Sequence, residues 1–161
     1  MALTITALAA SAQDRKAETL KEVRALYSKA LDDIKQRDSE CLECIDKIAI
    51  INEQMLPGTG EHKKATTIYF HLDAEEDGSG SATPYFIRVS YNLAARTYLE
   101  EYLFEDGRLV FSLIKENDYP ATETRVYIKN GIAILDRKET AETQAHPFNM
   151  QKVDMSNEHV Q

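Results

Sequence analysis

The sequence predicts an α+β domain in which an N-terminal helix, or bent helix pair, packs on an antiparallel meander of about six strands. Three observations carry this expectation. Apolar residues recur at steps of three and four as far as Met55, and at steps of two after Lys64. Two stretches, "YLFEDGRLVFSL" and "VYIKNGIAIL", each set a turn dipeptide between alternating apolar residues, at Asp106-Gly107 and Asn130-Gly131. A chain of 161 residues with a hydrophobic fraction of 43% suits one domain with a real core.

The opening "MALTITALAASAQ" is apolar and uncharged and passes through Ala10-Ser11-Ala12, an A-x-A cleavage pattern. It reads as a signal peptide over residues 1–12, with the mature chain starting near Gln13. One element of such a signal is missing, because no Lys or Arg follows Met1. The apolar run is too short to span a bilayer, which takes about 20 residues. The expected location is periplasmic or secreted.

Leu20, Val23, Tyr27, Ala30, Leu31 and Ile34 form one helical stripe, and Cys41, Ile45, Ile48 and Met55 resume it. The stripe fails at Arg37-Asp38, and Asp38-Ser39 followed by Glu40 reads as an N-cap with an acidic first turn. A helix break near residues 37–39 follows, with Pro57-Gly58 ending the second helix. A single helix across this region would overhang its sheet, since a short strand is much shorter than it.

Ile68, Phe70 and Leu72 then mark one strand, and Tyr85, Ile87, Val89 and Tyr91 a second, joined by an acidic polar loop. The two quoted hairpins follow. Asp-Gly and Asn-Gly accept positive φ at both central positions of a type I′ turn. Two-residue turns would set Phe104 opposite Leu109, Leu103 opposite Val110 and Tyr102 opposite Phe111. In the second hairpin they set Ile128 opposite Ala133, Tyr127 opposite Ile134 and Val126 opposite Leu135. Farther out, Arg125 meets Asp136 and Glu123 meets Lys138, two opposite-charge pairs. The domain thus covers residues 13–138, and residues 139–161 lose periodicity and read as a mobile tail.

The charge balance restricts partners. Net charge is −8, and no basic run exceeds Lys63-Lys64, so the stripe that nucleic acid or an anionic membrane requires is missing. Cys41 and Cys44 form a C-x-x-C pair on one helical face. If Ser39 caps a helix, Cys41 stands in its first turn, where the dipole lowers a thiol pKa. Oxidoreductase pairs of this spacing follow a strand in a βαβ unit, whereas helical periodicity flanks this one. No second ligand pair exists for zinc.

Other chemistry finds weaker footing. Asp73, Glu75 and Asp77 before Gly78 imitate the start of a calcium loop, but Pro84 occupies the position of the bidentate Glu. His62, His71, His146 and His159 are scattered, and Gly78-Ser79-Gly80 lacks the strand–turn–helix frame of a nucleophile elbow. Glu100 and Glu101 are neighbours on a strand and so point to opposite faces. No phosphate-cradling or dinucleotide-binding pattern appears, so no cofactor is expected.

The stretches "YFIRVSYNLAARTYLEEYLFEDGRLVFSLI" and "ETRVYIKNGIAIL" resemble a group of uncharacterised small exported proteins of Bacteroidota. In these a helical N-terminal part precedes aromatic, acidic hairpin strands. The likeness covers roughly residues 65–136. It implies export and a helix-plus-meander fold, and it brings no activity, cofactor or site residue with it.

The functional expectation is a non-enzymatic, exported binding module for a protein or small ligand, with a homodimer as one form. The alternative is a thiol-disulfide protein using Cys41 and Cys44. Strict alternation puts Tyr98, Tyr102, Phe104 and Phe111 on one sheet face and Leu99, Leu103, Val110 and Ile114 on the other. A helix of aliphatic stripe residues would cover the aliphatic face and leave the aromatic one as a recognition surface.

Overall fold

One helix, α1 (Leu3–Glu40), precedes seven strands: β1 (Lys47–Leu56), β2 (Gly60–Ala74), β3 (Gly80–Leu93), β4 (Arg96–Glu105), β5 (Arg108–Asn117), β6 (Ala121–Lys129) and β7 (Ile132–Thr140). The computed structural model describes residues 3–40, 46–74, 80–118 and 120–140. All strands lie in one sheet in sequence order, each antiparallel to the next. The α+β meander is as expected, with one strand more.

The added strand replaces the second helix. Lys47–Leu56 pairs along its whole length with Gly60–Tyr69. Ile48, Ile50 and Ile51 are β-branched and stiff at χ1, which suits a pleated strand better than a helix. Pro57-Gly58, expected to end a helix, instead turns a hairpin. Gly58 has φ 79°, and Thr59 N donates to Leu56 O at 3.3 Å, as in a type II turn with Pro first and Gly second.

The helix break at residues 37–39 does not occur. Asp38 and Ser39 lie inside α1, and Ser39 Oγ donates to Gln36 O at 2.6 Å. The 38-residue helix is about 57 Å long, so it does overhang the sheet. Among the described side chains its buried positions begin at Thr19 and end at Ile34, and residues 12–18 are exposed. At its C-terminal end Arg37 pairs with the buried Asp46, Asp38 with Lys47 at 2.8 Å, and Tyr69 Oη donates to Asp38 at 3.2 Å. These contacts tie the helix to the start of β1.

The helix covers one face. Tyr69, Phe86, Leu103, Phe111 and Tyr127 are direct cross-strand partners from β2 to β6, and Ile134 continues the row on β7. Val23, Ala30 and Ile34 of α1 close over them, and the Tyr27 ring sits 4.3 Å from that of Phe111. Aromatic–aromatic contacts of this kind add to area burial.

Two bulges shape this row. Tyr69 pairs with Phe86 but Phe70 with Pro84, which makes Tyr85 the extra residue of β3. Leu103 pairs with Phe111 but Phe104 with Leu109, which makes Val110 the extra residue of β5. A bulge sets two residues against one, so consecutive side chains can serve the same face. Both Val110 and Phe111 are core residues, and Tyr85 packs beside Phe86.

The first hairpin therefore departs from strict alternation: Tyr102 faces Ser112, and Leu103 faces Phe111. The second keeps every expected pair, from Ile128–Ala133 out to Glu123–Lys138. Both turns have positive φ at their two central residues: Asp106 50° and Gly107 70°, Asn130 52° and Gly131 75°. β7 runs through Thr140, into the stretch assigned to the tail.

Candidate functional site

The face opposite α1 has no covering element among the described residues. Its centre is built by β3 and β4, which are joined by the two-residue turn Ala94-Ala95. The register sets Ile87 beside Tyr102, Val89 beside Glu100, and Tyr91 beside Tyr98. On the next strand Ser112, Ile114 and Glu116 complete the three rows. Ile68 and Thr66 flank the centre from β2, with Ile48 and Ile50 beyond them on β1.

The tyrosines form an ordered platform. The rings of Tyr91 and Tyr98 stack at 4.8 Å with planes 10° apart. Glu100 accepts from Tyr91 Oη at 2.9 Å and from Tyr102 Oη at 2.7 Å. Tyr98 Oη donates to Glu116 at 3.1 Å, and Arg96 reaches both Glu116 and Asp118. Burial, followed by the bond to Glu100, raises Tyr91 and Tyr102 to about 12 each, so both phenols are neutral donors. Side chains held this way have already lost rotamer freedom, which lowers the entropy cost of binding.

Of the four residues expected here, the structure groups two. Tyr98 and Tyr102 are half-buried members of the platform, and Phe104 lies half-buried at the turn end of β4. Phe104 also borders a shallow groove of about 220 Å³ between α1 and the sheet, with Ala30, Asp33, His71 and Tyr85. Phe111 is not on this face. The Val110 bulge turns it under the helix, where it is 1% exposed. The same shift places Ile114, expected on the aliphatic face, with the tyrosines, where it is exposed. The helix accordingly covers a mixed face, with Phe86, Phe111 and Tyr127 beside Leu103, Val110 and Leu113.

Alternation alone did not assign Tyr91 and Glu100 to the site. The signal that reaches them is the β3–β4 register, and it runs through an Ala-Ala turn without Gly, Asn or Asp. Ala94 takes φ 54°, a left-handed conformation that alanine gives no compositional sign of.

The expectation that Glu100 and Glu101 point apart holds. Glu101 is buried on the helix side, where it accepts from Tyr27 Oη and from Arg88 Nε at 2.8 Å. Burial first, and the Glu101 bond second, raise the Tyr27 phenol well above its ordinary value. This carboxylate is fully engaged in holding α1 to β3 and β4, which makes it a structural clamp rather than a free acid or base.

Cys41 and Cys44 lie outside the described residues. The cap expected at Ser39 does not exist, so the helix-dipole argument for a reactive Cys41 has no foundation in the fold. The calcium-like loop also falls partly outside the described residues. Among the described residues no three His, Cys, Asp or Glu side chains gather as metal ligands, and no helix is long and apolar enough to cross a membrane.

Comparison with protein-family models, with curated proteins and with solved structures finds no match for this chain.

Proposed function

We propose that the protein is an exported, non-enzymatic binding module that presents the tyrosine face of its sheet to a partner. One observation carries the reading: Tyr91, Tyr98 and Tyr102 are fixed by carboxylates of their own sheet on a face that no described element covers. Tyrosine offers large contact area with few rotatable bonds and is enriched at interfaces. Glu100 and Glu116 give this platform negative charge, in keeping with the chain's −8. A partner bearing arginine or lysine suits it, through charge and through stacking of a cation on a tyrosine ring.

Export is compatible with the same fold. The buried positions of α1 begin at Thr19 among the described side chains, so cleavage after Ala12 leaves the described core whole. N-terminal sequencing of protein from the native envelope or medium should start near Gln13. An intact Met1 terminus on cytoplasmic protein would end that part of the reading.

The binding reading is tested by titrating fluorescent arginine-rich and glutamate-rich peptides of equal length. The arginine-rich peptide should bind, and a Tyr91→Ala/Tyr98→Ala variant that keeps its far-UV circular dichroism should lose that binding. Equal binding of both peptides, or full binding by the variant, would contradict it.

A further inference from the structure

Among the described residues nothing pairs with the outer edge of β1, which stands at one end of the sheet order and has β2 as its neighbour. Ile48, Ile50, Ile51 and Met55 are 48, 45, 55 and 74% exposed along it. The edge at the other end is protected differently. β7 carries Asp136, Arg137, Lys138 and Glu139 in succession, and charges of this kind block strand addition. From Ile48 to Ile51 the first edge has no charge and no Pro, and its pairing with β2 has no bulge. A long, flat, apolar edge is a template for another strand.

We propose that a second copy of this chain adds antiparallel to β1, joining the two sheets across a two-fold axis at Ile50. Such an axis stands perpendicular to the sheet, so one residue must face its own counterpart. With Ile50 on the axis, Ala49 meets Ile51 of the second copy, Ile48 meets Asn52, and Lys47 meets Glu53. Symmetry gives the opposite-charge pair twice, once at each end of the contact. Moving the axis to Ala49 sets Lys47 against Ile51, and moving it to Ile51 sets Lys47 against Met55 and Glu53 against Ala49. Among these only the Ile50 register sets charge against opposite charge, while Ile48 meets the polar Asn52. Lys47 already holds Asp38 and Glu53 already holds Lys63, so the new pairs extend two existing ion pairs into networks.

Ile48 and Ile50 stand in the same cross-strand rows as Ile87 and Val89. The joined sheet would therefore carry the two tyrosine platforms on one continuous face. The dimer does not depend on what that face binds.

Light scattering after size exclusion tests this. The wild type should show twice the 18.2 kDa chain mass at high micromolar concentration. Ile50→Lys should be monomeric, while Leu135→Lys on the opposite edge should stay dimeric. In a Cys41→Ser/Cys44→Ser background, Ile50→Cys should cross-link to itself under mild oxidation, and Leu135→Cys should not. If Ile50→Lys fails to fold, charge exchange decides instead: Lys47→Glu should weaken the dimer and Lys47→Glu/Glu53→Lys should restore it. A monomeric wild type, a dimer unaffected by Ile50→Lys or by Lys47→Glu, or equal cross-linking from both edges would overturn the proposal.

Discussion

The two faces of this sheet use the same residue type for opposite ends. On the helix side, Tyr69 and Tyr127 are buried beside Phe86 and Phe111 and close the core against Val23 and Ile34. On the other side, Tyr91, Tyr98 and Tyr102 keep partial exposure and spend their hydroxyls on Glu100 and Glu116. Composition does not decide which tyrosine is core and which is surface. Parity along the strand decides it, and the bulges at Tyr85 and Val110 reset that parity. The adjacent pair Glu100 and Glu101 shows the same division in one step: one clamps the platform, the other clamps the helix.

The largest expected contrast is between Phe111 and Tyr102. Phe111→Ala removes the centre of the cross-strand row and should cost about 3–5 kcal/mol in urea unfolding. Tyr102→Ala removes a half-exposed ring and one hydrogen bond, and should cost about 1 kcal/mol. Equal losses would mean that the two faces are equally covered in solution.

A second contrast tests the carboxylates. Glu101→Ala leaves Tyr27 and Arg88 without their shared acceptor and should cost about 2 kcal/mol. Glu100→Ala frees two hydroxyls that can turn to water, so its cost should be below about 1 kcal/mol. Thermal melts of the two variants check the order.

Turn geometry supplies a smaller pair. Gly131→Val places a β-branched residue at φ 75° and should destabilise by more than about 1 kcal/mol. Ala94→Gly relieves a left-handed alanine and should stabilise by about 0.5–1 kcal/mol. Opposite signs in urea unfolding are the expected result.

The smallest effect is a pH dependence. Tyr91 and Tyr102 titrate near 12 in the folded protein, above the ordinary tyrosine value, so folding favours their neutral forms. Their contribution is fully present below pH of about 10 and is lost as pH rises from there toward 12. A Tyr91→Phe/Tyr102→Phe variant should lose less stability across that interval than the wild type. An equal loss in both would remove these two phenols as the cause.

The parts of the fold that were legible in the sequence are those fixed by local contacts. Asn130-Gly131 determines its turn, and the turn carries Arg125–Asp136 and Glu123–Lys138 with it. Asp106-Gly107 determines its turn equally well, but the core then inserts Val110, and the register four residues away is no longer local information. That is why local alternation puts Tyr98 and Tyr102 on the face where they lie but puts Phe111 on the wrong one. Lys47–Leu56 reads as helix because Ile48 and Met55 fit a helical step, although Ile48, Ile50 and Ile51 are β-branched and suit a strand. Its pairing with β2 resolved the conflict, and that pairing is not written in either segment alone. The platform itself needed the Ala94-Ala95 turn, whose left-handed alanine has no signature in composition.

The most direct test of the tyrosine face is site-specific photo-crosslinking in the native cell. A photoreactive phenylalanine analogue in place of Tyr98 should give a discrete adduct with another molecule, and Tyr91→Ala in the same chain should abolish it. The same analogue in place of Glu18, on the exposed part of α1, should give none. No adduct from position 98, or one adduct common to both positions, would contradict the claim that this face is the recognition surface.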